Sequence, residues 1–282
     1  MDNDKGPIEI NIRAVVRQRL GAKARFIPGF ILSGLERFIC QERLNELLRK
    51  CYPARGADFC RALLENLQVE YTVVHPELLP PPDDSRVLFV SNHPLGGLDG
   101  VILTDLLSRL TDSEGRRYGA RFVVNDLLDA VEPLRDVFVP VNKHGRQHRD
   151  AVRLLDSVFE GPESVVMFPA GLCSRRDADG NVRDLSWQKM CVARAIKSGR
   201  DIIPLHFIGE NSPFFYKFAE IRKKIGMQFN LEMMRLPAEL VAAQGKSFAV
   251  AVGRRIPFTS LKGGADALAE AQELRRIVYE TE

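Results

Sequence analysis

One loop of this sequence puts a histidine and an aspartate within a single turn of each other. It reads Ser91-Asn92-His93-Pro94-Leu95-Gly96-Gly97-Leu98-Asp99-Gly100. A neutral imidazole takes a proton from a hydroxyl, and a pKa near ~6.5 keeps it available at neutral pH. A nearby carboxylate holds the ring's tautomer and stabilises the imidazolium that forms. Pro94 stiffens the exit, and Gly96 and Gly97 let the chain bend Asp99 back towards His93. Asp99 is also placed to cap the helix that follows. A His near an Asp is often only a surface pair or a cap. Two adjacent glycines at the end of a strand favour the catalytic reading.

The elements that must hold this loop follow from hydrophobic patterning. Val87–Ser91, Arg121–Val124, Val137–Val141, Ser164–Phe168, Ile202–Phe207 and Phe248–Gly253 read as strands. Most are unbroken β-branched or aromatic runs, as suits strands covered on both faces. Val101–Leu110, His148–Phe159, Trp187–Lys197 and Ala265–Tyr279 read as helices. In the second of these, Ala151, Leu154, Leu155 and Val158 fall at helical spacing and form one apolar face. Strands alternating with helices predict an α/β layered fold with a mainly parallel central sheet flanked by helices. Active sites in such folds lie at the carboxyl ends of strands, where His93 falls. Residues 1–80 read as a mostly helical N-terminal cap, and the proline run within Leu78–Asp84 as a turn or linker. The division is therefore 1–80, a helical segment, and 81–282, the catalytic domain.

Composition sets outer limits. The chain has 282 residues, of which 45% are hydrophobic and 27% charged, with 40 Lys+Arg against 37 Asp+Glu. Those values exclude a disordered chain, a collagen-like repeat and a coiled coil. A net charge of +3 gives no reason to expect nucleic acid as a partner. The cysteines Cys40, Cys51, Cys60, Cys173 and Cys191 are odd in number and form no Cys-x-x-Cys pair. This argues against zinc ribbons and disulfide frameworks. With a polar start at Met1–Gly6, it points to a reducing, intracellular compartment. No run approaches the ~20 apolar residues that span a bilayer.

The loop resembles the first motif of the glycerolipid acyltransferases, the 1-acylglycerol-3-phosphate acyltransferase family. That motif is a histidine, four arbitrary residues and an aspartate. Here five intervene, the extra one falling at Gly96-Gly97. Three further segments match in the family's order. Phe138-Val139-Pro140-Val141-Asn142-Lys143 resembles the second motif, a strand leading to an acceptor-binding basic residue. Phe168-Pro169-Ala170-Gly171-Leu172-Cys173-Ser174-Arg175 resembles the third, usually Phe-Pro-Glu-Gly-Thr-Arg-Ser. Ile203-Pro204-Leu205-His206 resembles the fourth. The form of the first motif also resembles a hemolysin-like bacterial branch that includes lyso-ornithine lipid and related lyso-aminolipid acyltransferases.

The resemblance implies O-acyl transfer from an acyl thioester to a lyso-lipid hydroxyl. His93 would be general base and Asp99 its partner. Asn92, Asn142, Lys143, Gly171, Ser174, Arg175 and Arg176 are the implied substrate contacts, with a backbone N–H near Gly171 facing the oxyanion. No cofactor and no metal is implied. Acyl carrier protein or acyl-CoA is co-substrate. The third motif departs most: Cys173 and Ala170 stand where the family has Arg and Glu. The bidentate phosphate partner is thereby lost. An acceptor with another head group, such as an acylated amino acid, is expected, unless Arg175 takes over the missing role. The alternatives are a 1-acylglycerol-3-phosphate acyltransferase, a hydrolase, which lacks a Gly-x-Ser-x-Gly elbow, and a non-catalytic lipid-binding, hemolysin-like protein, which has no need of the His–Asp pair.

Other candidates read as structure. His144 and His148 have zinc-like spacing, but Lys143, Arg146 and Arg149 disfavour a dication. The cluster reads as a solvated basic helix start, and as an alternative it suits an anionic carrier protein or CoA phosphate. Cys173 has no assignable base and reads as a small buried residue. His206 reads as a satisfied core histidine and Trp187 as packing. Asn11–Leu35 contains no acidic residue. Arg13, Arg17, Arg19, Lys23 and Arg25 precede the apolar run Phe26–Leu35. That pattern predicts a peripheral protein at a membrane surface, the cytoplasmic face of the inner membrane.

Overall fold

The computed structural model describes residues 6–110, 119–125, 131–141, 148–227 and 230–282. Four helices lead: α1 (Ile12–Leu20), α2 (Gly29–Phe38), α3 (Gln41–Cys51) and α4 (Gly56–Leu67). Then come β1 (Glu70–Val74), β2 (Leu88–Ser91), α5 (Gly97–Ser108), β3 (Ala120–Asn125), β4 (Phe138–Val141), α6 (His148–Glu160) and β5 (Ser164–Met167). A short hairpin, β6 (Arg175–Arg176) and β7 (Val182–Arg183), precedes α7 (Met190–Ser198) and β8 (Ile202–Ile208). The chain closes with α8 (Pro213–Lys224), α9 (Leu236–Ala242), β9 (Ser247–Val252) and α10 (Ala267–Glu280).

Among the described residues seven strands form one sheet in the order β1-β9-β8-β2-β5-β3-β4. Every pairing in it is parallel except β8 with β9. Period-two alternation splits the central strands between two cores. Val87, Phe89, Val166 and Ile203 join Leu47, Phe59, Leu63 and Ile102 on the side of α3, α4 and α5. Leu88, Val90, Val165 and Ile202 join Leu155, Val192, Ala271 and Leu274 on the side of α6, α7 and α10. Helix α5 is buried from Leu98 to Ser108, because it packs against α4 and α9 as well as the sheet.

All six expected strands and all four expected helices are present, with ends shifted by up to four residues. Three expectations need correction. In α6, Leu155 and Val158 are buried but Leu154 is exposed, so the apolar face is narrower than its spacing predicts. Asp99 does not cap α5: Gly96 occupies that position and Asp99 sits in the first turn. The first 80 residues are mostly helical as expected, with the strand β1 paired in register with β9. The boundary at residue 80 is also no break in packing, because α3, α4 and the sheet share one core. Among the described residues no helix is long and apolar enough to cross a membrane.

Candidate active site

Strand β2 lies between β8 and β5, and His93 stands two residues beyond its carboxyl end. The loop is held from several sides. Asn92 donates from Nδ2 to the Phe207 carbonyl at 2.9 Å and accepts the Phe207 N–H at 2.6 Å. Asn211 donates to the Pro94 carbonyl at 3.0 Å. The His93 N–H donates to Asp184 Oδ1 at 3.1 Å, and the Ser174 N–H donates to the His93 carbonyl at 2.8 Å. The imidazole stacks on Phe168, with ring centroids 4.1 Å apart.

Asp99 is fully buried. Its Oδ2 lies 3.0 Å from His93 Nδ1 and also accepts the Leu95 N–H, while Oδ1 accepts the Gly100 N–H. The positive end of α5 favours a carboxylate there. The contact becomes an ion pair when the ring is protonated. The extra residue of the motif is absorbed at Gly96, whose φ of +75° suits glycine. A Cβ there would also meet Leu236 at 2.7 Å. The longer loop therefore keeps the His–Asp pair in contact, at 3.0 Å. With Nδ1 turned to Asp99, Nε2 is the nitrogen left to take a proton, and the side chain keeps 16% exposure. Burial disfavours the imidazolium and the Arg175 charge opposes it. The carboxylates of Asp99 and Asp184 outweigh both and raise the His93 pKa above its ordinary value.

The third segment is where expectation and structure part. Ser174 is buried, and its hydroxyl donates to Asp184 Oδ1 at 2.6 Å. Gly171 donates its N–H to the Phe168 carbonyl at 2.9 Å, so that donor does not face an oxyanion. Arg175 donates to the Cys173 carbonyl at 2.7 Å and to Glu232 Oε1 at 2.8 Å. Glu232, fully buried, binds Arg222 through its other oxygen at 2.7 Å. Asn92 and Ser174 are thus buried in the scaffold, and the Gly171 N–H and the Arg175 guanidinium are engaged there, although Gly171 itself is exposed. Arg176 is the exception: it lies over the Tyr216 ring with Glu220 3.9 Å away and stays partly exposed. Asn142 and Lys143 lie outside the described residues, as do His144 and Arg146. Cys173 is buried, and burial pushes its thiol up to about 11, far from a thiolate nucleophile at neutral pH. His206 is satisfied by the Thr281 carbonyl at 2.8 Å.

Sequence reasoning missed Asp184. Its two oxygens bind the His93 N–H, the Ser174 hydroxyl and Trp187 Nε1, and its own N–H donates to the Tyr279 hydroxyl at 2.7 Å. Burial raises its pKa even though those three donors favour the carboxylate. A signal was available: a buried Trp needs an acceptor for its N–H, and Asp184 lies three residues before Trp187. Glu232, the partner of Arg175, left no comparable mark.

An open α/β sheet that carries a carboxylate-backed imidazole at a strand's carboxyl end is built for acid–base chemistry. The chain belongs to the acyltransferase family, whose model matches residues 14–280. It is 37% identical to a lyso-glycine lipid O-acyltransferase of Phocaeicola vulgatus, over 96% of this chain and 94% of that protein. It is 36% identical to a lyso-glycine lipid O-acyltransferase of Bacteroides thetaiotaomicron, over 96% of each chain. Among solved structures, the 1-acyl-sn-glycerophosphate (LPA) acyltransferase PlsC of Thermotoga maritima aligns with a TM-score of 0.45. That alignment has 16% identity over 89% of this chain and 95% of that one.

Proposed function

We propose that this acyltransferase moves a fatty acyl group from an acyl thioester, on acyl carrier protein or CoA, to the hydroxyl of a lyso-glycine lipid. The observation that carries the reading is likeness along nearly the whole chain to lyso-glycine lipid O-acyltransferases. The electrostatics of the third segment agree with it. Arg175, Arg222 and Glu232 sum to a single positive charge, and Arg175 is not free to fork onto a phosphate. An N-acylated glycine presents one carboxylate charge, which asks for less than a phosphate monoester does.

In this reading His93 Nε2 accepts the hydroxyl proton of the acceptor as its oxygen attacks the thioester carbonyl. The tetrahedral intermediate collapses, the C–S bond breaks, and the leaving thiolate takes the proton back from the imidazolium. Asp99 stabilises that cation throughout. No covalent enzyme intermediate forms. The acceptor is drawn from the cytoplasmic face of the inner membrane, to which the chain binds peripherally.

The test is acyl transfer by the purified protein to lyso-glycine lipid, lyso-ornithine lipid and lysophosphatidic acid, with each donor. At least ten-fold higher kcat/KM on the glycine acceptor is expected, and preference for the phosphate acceptor would overturn the assignment. His93→Ala should lower transfer by about 10^3-fold or more while leaving the fold intact, as removal of a general base does.

A further inference from the structure

The N-terminal helices leave an open crevice of about 530 Å³ between α1, the turn Gly21–Phe26 and α2. Arg13, Arg17 and Arg25 line it together with Val16, Ile27 and Leu32. Its walls are fixed. Arg13 donates to Glu36 Oε1 at 2.8 Å and to the Ser33 hydroxyl at 2.9 Å, tying α1 to α2. The start of α1 is tied to α3, where Asn45 exchanges hydrogen bonds with the backbone of Ile10 and Gln41 accepts the Ile12 N–H.

Charge and polarity within the crevice are uneven. Glu36 neutralises Arg13, but Arg17 and Arg25 face no carboxylate among the described residues. The Arg25 guanidinium lies 4.7 Å from the centre of the Phe26 ring, which is itself 72% exposed. Phe30 is 77% exposed, and Val15, Leu20 and Ile31 are also open to solvent. Exposed apolar side chains on the same helices as guanidinium groups that face no carboxylate among the described residues suit the boundary between lipid head groups and acyl chains. A guanidinium also presents a planar fork to an anionic head group, so two of them at one cleft specify more than a diffuse positive charge does.

We propose that this crevice is a binding site for one anionic lipid of the bilayer, held at its head group by Arg17 and Arg25, with its chains against Val16, Ile27 and Leu32. The site is separate from the catalytic loop. It rests on the reading that the enzyme draws its acceptor from a membrane surface, and it supplies the contact that would hold it there.

A charge-matched pair of variants tests this. Arg19 and Lys23 lie in the same basic stretch but do not line the crevice. Arg17→Gln with Arg25→Gln, and Arg19→Gln with Lys23→Gln, each remove two positive charges from exposed positions. Co-sedimentation would use vesicles of phosphatidylcholine with 20 mol% phosphatidylglycerol, and vesicles of phosphatidylcholine alone. The unaltered protein is expected to bind the anionic vesicles at least ten-fold better. The crevice pair should lose most of that preference, and the control pair should lose at least five-fold less. Equal losses in both pairs would mean diffuse adsorption and overturn the site. So would equal binding of the unaltered protein to both vesicles, or a self-associated state that the crevice pair abolishes without vesicles. Failure of the proposed acyl transfer would appear separately, as inactivity of the unaltered protein on acceptor dispersed in detergent.

Discussion

At the scale of single residues, the site turns on how His93 is charged. Burial pulls its pKa down, yet Asp99 at 3.0 Å and Asp184 push it above the ordinary value. A base must be neutral to act, so kcat/KM should rise with pH through a midpoint above ~6.5, the ordinary imidazole value. Asp99→Asn removes the nearest carboxylate and leaves the burial. The acid limb should then move to lower pH, while the plateau falls by about 10^2- to 10^4-fold as the ring loses its orienting partner. A pH–rate profile of both proteins checks this, and a limb that stays put would mean that His93 is not the titrating base. His93 and Asp99 were legible in the sequence because one short loop carries both. Asp184 showed only through the need of Trp187, three residues on, for an acceptor, and its bond to His93, like that of Glu232 to Arg175, joins residues far apart in the chain, which no local pattern records. The same blindness made Asn92 and Ser174 look like substrate contacts, although both hold the loop in place.

At the scale of elements, legibility followed burial. The six strands found in the sequence are mostly unbroken apolar runs because helices cover both faces of the sheet. Strand β1 escaped notice because it is a half-exposed edge, and its partner β9 comes almost at the end of the chain. Helix α8 also escaped, although Ser212 before Pro213 is a start signal. The amino ends of the sheet hold a device that no motif announced. Arg200 is fully buried and donates to the carbonyls of Val87, Val158, Phe159, Gly161 and Glu163. It thereby joins the start of β2, the end of α6 and the approach to β5. Burial lowers its pKa to about 10, so it stays charged at neutral pH. Arg200→Leu would leave those carbonyls without their donor, at a cost of about 3–5 kcal/mol. A fall in Tm of roughly 10 °C should result. The clamp lies at the end of the sheet opposite the catalytic loop, so kcat/KM at 25 °C should change less than two-fold. Thermal melts and initial rates on the same preparation separate the two effects.

At the scale of the whole molecule, the first 80 residues hold two kinds of helix. Neither α1 nor α2 has a buried residue, and they are pinned mainly by surface contacts such as Arg13–Glu36 and Arg49–Glu9. Pairs of that kind contribute about 0–1 kcal/mol each. By contrast α3 and α4 bury Leu44, Leu47, Cys51, Phe59, Cys60, Leu63, Leu64 and Leu67, and α4 packs on the helix that carries Asp99. At about 1.5–3 kcal/mol for each of the large apolar side chains, that burial is, before the entropy of ordering them, of the same size as the 5–15 kcal/mol by which a folded domain is stable. The division that matters therefore falls between α2 and α3, not at residue 80. A chain beginning at Glu36 should melt cooperatively, within a few degrees of the full chain, and still acylate detergent-dispersed acceptor, but it should no longer pellet with anionic vesicles. A chain beginning at Glu70 should show no cooperative melt, because it strips α3 and α4 from the core they share with the sheet and α5. Circular dichroism melts of the two chains check the order. Loss of cooperative folding in the longer one would mean that α1 and α2 belong to the catalytic core and are not a separate membrane-facing layer.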